Sequence, residues 1–246
     1  MNDLAGRVAI VTGGSGGIGR AILDALTATG ATVVNLDVSG GAGAPPAVPP
    51  APRRLATWIP CDVRDADSVA RAVAQVLDTH GRIDIAVHAA GVSRDGVVWK
   101  LSVADWDLIH DVNLRGAFLL LRNTIPAMRA AGSGRIVLIG SINGSRGKFG
   151  TSAYAASKAG LVGLAKSVSR ETGRLGITVN VIEPGWVRTP LTETYPEPVR
   201  EQALAETLLG ELVEPEDVAA SVVFLCGTGG RRITGQTLRV DAGQYL

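Results

Sequence analysis

The chain has 246 residues, with 24 Lys and Arg against 23 Asp and Glu, so its formal net charge is +1 at pH 7. This balance excludes the broad basic field of a protein that binds nucleic acid or a membrane surface. Hydrophobic residues make up 46% of the chain and aromatic residues only 4%. A chain of this length can build a sizeable core from aliphatic side chains without disulfides or metals.

Short apolar runs alternate with longer helical patterns along the whole chain. Strands are predicted at 8–11, 32–36, 55–60, 83–87, 135–139, 177–182 and 237–240, and helices at 18–29, 66–79, 103–122, 153–173 and 215–226. Continuous apolar runs rich in β-branched residues are typical of parallel strands buried on both faces. The alternation predicts one domain over 1–246, a doubly wound parallel α/β sheet that binds its ligand outside the carboxyl ends of the strands.

A glycine-rich turn, T-G-G-S-G-G-I-G at 12–19, follows the first strand and opens into a helix. The glycines fit both G-x-G-x-x-G and T-G-x-x-x-G-x-G, and the spacing does not decide between them. Either pattern lets the backbone approach a pyrophosphate at the positive end of the helix, although an ordinary tight turn remains the alternative. Arg20 stands where a nucleoside-triphosphate loop needs Lys, which disfavours phosphoryl transfer.

An acidic residue closes the second strand, where a dinucleotide-binding fold contacts the adenosine ribose. Asp37 lies there, 18 residues after Gly19, and no basic residue stands at Gly14, Ser15 or Gly16. The carboxylate would repel the 2′-phosphate of NADP. We therefore expect NAD, with NADP less favoured; a plain turn-forming Asp is the alternative.

The segment at 40–52 is rich in Gly and Pro and predicts an exposed loop, with a linker between domains as the alternative. Cys61 and Cys226 form no C-x-x-C pair and are predicted to be buried thiols of a cytoplasmic protein. The histidines show no spacing that would assemble a zinc site, and no run approaches 18 apolar residues. Neither a metal nor a membrane span is expected.

Tyr154 and Lys158 stand four residues apart in a predicted helix, so both can act on one ligand. A tyrosine has a pKa near ~10, and an ammonium beside it favours the phenolate that acid/base work needs. This pair alone is common on helix surfaces. Ser141, however, follows the strand at 135–139 and is expected at the same edge of the sheet.

Together these motifs resemble the short-chain dehydrogenase/reductase family over nearly the whole chain. The positions that match are the turn at 12–19, Asp62, Ala90, Gly91, Asn113, Ser141, Tyr154, Lys158, Pro184, Gly185 and Thr189. Ser141 precedes Tyr154 by 13 residues, as is usual in the family. One departure stands after the fourth strand, where His88 and Ala89 replace the usual Asn-Asn; His88 is expected to be structural.

The resemblance implies a Rossmann fold and a role for each matching residue. Tyr154 would be the general acid or base, Lys158 would lower its pKa, and Ser141 would bond the substrate oxygen. Asn113 would hold a water of a proton relay, and Asp62 would contact the adenine. The implied cofactor-binding set is Gly13, Ser15, Gly16, Gly17, Ile18, Gly19, Asp37, Asp62, Val63, Ala90, Gly91, Tyr154, Lys158, Pro184, Gly185, Val187 and Thr189. Substrate candidates are Ser93, Arg94, Ser141, Asn143, Phe149, Tyr154 and Trp186.

Closer similarity runs to 3-oxoacyl-acyl-carrier-protein reductases and acetoacetyl-CoA reductases, which implies a 3-oxoacyl or 3-hydroxyacyl thioester as substrate. Arg129 and Arg174 stand near positions that dock an acyl carrier protein in that group, although both could be ordinary solvated arginines. The family also implies a substrate lid at 190–210 and a homotetramer that pairs the helices at 103–122 and 153–173. The alternatives are an NAD-dependent dehydrogenase of another secondary alcohol and a non-catalytic dinucleotide-binding regulator.

Overall fold

The computed structural model of the protein describes residues 4–40 and 56–246. Within these ranges one parallel sheet has the strand order β3-β2-β1-β4-β5-β6-β7. The strands are β1 (Val8–Thr12), β2 (Thr32–Asp37), β3 (Thr57–Pro60), β4 (Ile85–His88), β5 (Gly134–Ile139), β6 (Ile177–Pro184) and β7 (Thr237–Val240). The strand order reverses between β1 and β4, which opens a crevice at their carboxyl ends. The predicted doubly wound sheet is confirmed.

Helices cover both faces of this sheet. They are α1 (Gly17–Ala28), α2 (Ala66–His80), α3 (Val103–His110), α4 (Gly116–Ala131), α5 (Ile142–Arg146), α6 (Ser152–Thr172), α7 (Pro190–Glu193), α8 (Glu197–Ala205) and α9 (Pro215–Cys226). Neighbouring strand residues point to opposite faces, so Ile10 packs in the core under α2, α4 and α6, whereas Val11 packs in the core under α1 and α9. The strands are therefore packed against helices on both faces of the sheet.

The predicted helix at 103–122 is wrong in its course and in its end. α3 stops at His110, a π-helical turn spans Asp111–Arg115, and α4 continues to Ala131. Pro126 lies inside α4, where it lacks an N–H and would break an isolated helix. The helix continues beyond the proline because one of its faces is buried in the core, where Leu120 and Met128 are wholly inaccessible to solvent.

The remaining predictions concern segments and properties outside the sheet: the proline-rich loop, the lid, the cysteines, and the absence of a membrane span and a metal site. Apart from Gly40, the predicted loop at 40–52 lies outside the described residues. The segment at 190–210 contains α7 and α8. Both cysteines are buried and free, as expected. Across 4–40 and 56–246, no helix has the length and apolar character to cross a membrane, and no group of three or more His, Cys, Asp or Glu side chains could hold a metal.

Candidate active site

A cleft of about 420 Å³ opens at the carboxyl ends of the central strands. It contains 13 of the residues that the sequence assigned to cofactor, catalysis or substrate. These are Ile18, Gly91, Ser93, Ser141, Asn143, Phe149, Tyr154, Lys158, Pro184, Gly185, Trp186, Val187 and Thr189. All but Ile18 lie at the end of β6 or in the loops and helices that follow β4, β5 and β6, because parallel strands end at the same edge of the sheet.

The glycine-rich turn is shaped for close approach to a ligand. Gly13 has a φ of +69°, and a side chain there would meet the backbone of Ala90 at 2.5 Å. A side chain at Gly19 would collide with the carbonyl of Gly13. α1 begins at Gly17, and its N-cap Gly16 offers no side chain to the first amides. The open amides and the absence of Cβ atoms fit the pyrophosphate of a dinucleotide.

Asp37 ends β2 directly beside this turn. Its carboxylate accepts hydrogen bonds from the backbone N–H of Ser15 at 3.0 Å and of Ser39 at 3.2 Å. The turn is also fixed by Asn35, whose Oδ1 accepts from the Gly14 N–H at 3.1 Å. The position suits contact with an adenosine ribose.

Asp62, the residue predicted to contact the adenine, lies outside the main cleft. Asp62 follows β3 and lines a separate groove on that side of the sheet. Arg64 donates to both of its oxygens, with Nη2 to Oδ2 at 2.7 Å, and this hydrogen bonding holds the pKa of Asp62 below its usual value. An adenine that uses the Asp62 carboxylate must share it with Arg64.

Three predicted catalytic residues line one side of the cleft. Ser141 caps α5 at the end of β5, whereas Tyr154 and Lys158 lie one turn apart on α6. Lys158 Nζ donates to the Ile139 carbonyl at 2.8 Å and lies 5.6 Å from the centroid of the Tyr154 ring. Its side chain is buried, and burial lowers the pKa of Lys158 to about 8.

The expectation that Lys158 brings down the pKa of Tyr154 is not met in the protein alone. Burial raises the pKa of Tyr154, and its hydrogen bond with Ser141 opposes that rise only partly. The physical reason is that desolvation of the phenolate outweighs the favourable contacts. The phenol is therefore protonated at neutral pH, the state that a general acid for ketone reduction requires.

Asn113 is completely buried in the π-helical turn between α3 and α4. Its Nδ2 donates to the Val92 carbonyl and to Ser157 Oγ, both at 3.0 Å, and its Oδ1 accepts from the Val92 N–H at 2.8 Å. The side chain thus fixes the loop after β4. Both N–H groups of the amide are used in this way, and the role of Asn113 in holding a water of a proton relay stays a prediction.

His88 replaces one of the family's asparagines and links the two central strands. Its Nδ1 lies 2.9 Å from Thr12 Oγ1, so β4 and β1 share a side-chain hydrogen bond. The ring is wholly buried, and burial, followed by the charge of Lys158, lowers the pKa of His88 to about 3. The imidazole is neutral at physiological pH, which agrees with the expected structural role.

The substrate end of the cleft contains residues that sequence reasoning missed. Tyr195 donates to Asp95 Oδ2 at 3.0 Å across 100 positions of sequence, and burial raises the pKa of Tyr195 to about 12. No sequence signal marks such a distant pair. Arg146 and Lys148 also line the cleft, and their place after β5 beside Ser141 was a usable signal. The predicted Arg94, by contrast, is exposed and absent from the lining.

Comparisons with known proteins agree with this geometry. The family model described as Enoyl-(Acyl carrier protein) reductase matches residues 13–244. The 3-oxoacyl-[acyl-carrier-protein] reductase of Vibrio harveyi is 35% identical over 244 residues, with 99% of each chain covered. The chain belongs to the short-chain dehydrogenase/reductase family. The (3R)-3-hydroxyacyl-CoA dehydrogenase of Mus musculus is 37% identical over 253 residues, covering 99% of this chain and 98% of that protein.

The solved structures agree as well. The crystal structure of gox2181 superposes with a TM-score of 0.90 at 30% identity, covering 98% of this chain and 96% of that one. As a member of the family, the chain is an oxidoreductase that uses a nicotinamide cofactor and acts on a CH–OH group or the corresponding ketone. The predicted family, its similarity to 3-oxoacyl-acyl-carrier-protein reductases and the ketone/alcohol chemistry are confirmed.

Proposed function

We propose that the protein interconverts 3-oxoacyl and 3-hydroxyacyl thioesters with NAD as the hydride carrier. The observation that carries this proposal is the meeting of Ser141, Tyr154 and Lys158 on one side of the cleft. The cleft lining also includes apolar side chains that suit an acyl chain, namely Ile142, Phe149, Trp186, Leu191 and Val199. The names of the relatives from Vibrio harveyi and Mus musculus support the thioester.

The residues divide the work of ketone reduction. Pro184, Gly185 and Thr189 would border a bound nicotinamide, which would supply the hydride in this direction and accept it in the reverse. Tyr154 donates a proton to the carbonyl oxygen, and Ser141 Oγ hydrogen-bonds that oxygen as negative charge develops. Lys158 holds its ammonium 5.6 Å from the centroid of the Tyr154 ring. The proton that Tyr154 gives up is replaced from solvent, through the relay in which Asn113 is predicted to hold a water. In alcohol oxidation the roles are reversed, and Tyr154 accepts the proton of the alcohol as a general base.

Relative rates with different substrates test this proposal. We expect turnover of acetoacetyl-CoA with NADH, followed at the absorbance of the reduced nicotinamide, and of 3-hydroxybutyryl-CoA with NAD. Simple ketones and secondary alcohols without a thioester serve as the comparison. A kcat/KM for those compounds equal to that for the thioesters would overturn the assignment.

The preference for NAD rests on Asp37. Asp37 ends β2 beside the glycine-rich turn, and a carboxylate there would repel the 2′-phosphate of NADP. Val38 beside it is 70% exposed. We expect Asp37→Ala with Val38→Arg to raise the ratio of kcat/KM for NADPH to that for NADH by about tenfold or more, because an arginine pairs strongly with phosphate. Asp78→Ala removes an exposed acid on α2 and is the control. An unchanged ratio would refute the role of Asp37.

Exposed residues on the helices support the predictions about partners. Arg129 and Arg174 are both exposed, at the ends of α4 and α6, where an acyl carrier protein could reach them. The homotetramer is supported by exposed Trp106 and Phe118 on α3 and α4, the helices expected to pair with α6. Light scattering tests the assembly: a monomer would refute it. The cytoplasmic location stays a prediction.

A further inference from the structure

Two cations stand side by side in the cleft and have no task in the mechanism above. Arg146 is the last residue of α5, and Lys148 follows after Gly147, whose φ of +68° turns the chain between them. Both residues line the cleft together with Ser141 and Tyr154. The turn therefore brings two positive charges to the substrate end of the active site.

Arg146 is fixed before any ligand arrives. Its Nε donates to Asn143 Oδ1 at 3.1 Å, and its Nη1 donates to Glu206 Oε2 at 2.9 Å and to the Gln244 carbonyl at 3.5 Å. Its side chain is only 18% exposed. Nη2 has no hydrogen bond to any residue of the described ranges. A guanidinium held in this way keeps a donor free for a planar anionic group.

Lys148 is placed by an aromatic contact. Its Nζ lies 5.1 Å from the centroid of the Trp186 ring, and Trp186 is packed edge-on by Tyr195 at 5.4 Å. Within the part of the chain that the structure describes, no carboxylate lies within ion-pair distance of Lys148. The ammonium is thus positioned over the cleft by the aromatic ring and not by a direct ion pair.

The charges around the cleft do not balance. The described lining residues include the cations Arg146, Lys148 and Lys158 but one acid, Asp95. Asp95 is already engaged, because Ser93 Oγ donates to its Oδ1 at 2.8 Å and Tyr195 donates to its Oδ2. Glu206 forms an ion pair with Arg146, and Lys148 acts on the same carboxylate only through its charge, without an ion-pair contact. A neutral substrate would leave the exposed ammonium of Lys148 without a direct partner among the described residues, whereas an anionic group in the cleft would supply one.

We propose that Arg146 and Lys148 form an anion site that binds a charged oxygen group of the substrate, a carboxylate or a phosphate. The substrate is then a ketone or secondary alcohol that carries such a group within reach of the carbonyl held by Ser141 and Tyr154. This inference rests on the proposed function and specifies its substrate. A thioester meets the requirement through an acid on its acyl chain or through the phosphate of its pantetheine arm.

Matched pairs of charged and neutral substrates test the site and separate its two sources. Acetoacetate is compared with ethyl acetoacetate for the carboxylate, and acetoacetyl-CoA with acetoacetyl-N-acetylcysteamine for the phosphate, each with NADH. We expect Lys148→Ala to lower kcat/KM about tenfold for the charged member of one pair, because a charge-assisted hydrogen bond is lost. Neutral members should change less than about twofold. Lys100→Ala, at an exposed lysine outside the cleft lining, should change neither.

A binding measurement separates failure of the anion site from failure of the proposed function. Calorimetric titration of the NADH-loaded Tyr154→Phe protein with the same four probes does not depend on turnover. Tighter binding of one charged probe that Lys148→Ala abolishes supports the site, even if no thioester is turned over. Equal effects of Lys148→Ala on charged and neutral probes, in both binding and turnover, would overturn it.

Discussion

The two sides of the cleft are built in opposite ways. The catalytic wall, which we define as Ser141, Tyr154 and Lys158 with Asn113 behind them, is buried except for the half-buried Tyr154, and Lys158 donates to the carbonyl at the end of β5. The substrate wall, which we define as Lys148, Phe149, Leu191 and Tyr195, is more exposed: Phe149 is 87% and Leu191 64% accessible, and Tyr195 is half-buried. Buried groups hold the catalytic side chains in the geometry that the reaction needs. Exposed side chains can be substituted at little cost in stability, and such substitutions can alter which substrate binds.

The largest effect is expected from removing one phenol hydroxyl on each wall of the cleft and comparing the two losses of activity. We expect Tyr154→Phe to lower kcat by about 1000-fold, because general acid catalysis is lost, while NADH still binds in a fluorescence titration. Tyr195→Phe loses only the bond to Asp95, and we expect kcat to stay within about threefold while KM rises. Equal losses of kcat in the two variants would contradict the division into walls.

The second prediction concerns the contact that ties α5 to the sheet. Ser145 Oγ donates to both oxygens of Glu183, at 2.8 and 3.0 Å, and Glu183 is completely buried at the end of β6. We expect Ser145→Ala to lower the free energy of unfolding by about 2 kcal/mol, because a buried carboxylate loses its hydroxyl donor. Urea denaturation measures the change. Ser145→Thr keeps the hydroxyl and should recover most of it.

A pH profile sharpens the account of the catalytic wall. Because burial lowers the pKa of Lys158 to about 8, its ammonium is present below that pH and lost above it. We expect kcat/KM for NADH, which reports groups of the free enzyme, to fall about tenfold between pH 7 and pH 9. The raised pKa of Tyr154 contributes no decline in this range.

Two control variants test whether Lys158 is the group whose titration causes this decline in kcat/KM. Lys148→Ala should keep the same midpoint, since Lys148 lies on the exposed wall. His88→Asn should keep it too, because the pKa of His88, at about 3, lies far below the range. A midpoint that moves with either variant would show that Lys158 is not the group that titrates.

The smallest effect is expected at the surface near the adenosine end. Arg64 and Asp62 form an ion pair at 2.7 Å, but their side chains are 47% and 32% exposed. We expect Arg64→Ala to change the free energy of unfolding by less than about 0.5 kcal/mol, because solvent screens such pairs. Denaturation at low and high salt measures this. A loss above 1 kcal/mol would mean that exposure alone does not separate the strong contacts from the weak ones.

The sequence alone determined the fold class and the seven strands, and it predicted the residues of the catalytic wall. Apolar runs fix buried strands locally, and the edge where parallel strands end places Ser141 near Tyr154 and Lys158. The tertiary structure alone decided the rest. The π-helical turn at Asn113 depends on packing, and the raised pKa of Tyr154 depends on burial. The bond between Tyr195 and Asp95 joins segments that local sequence rules cannot pair.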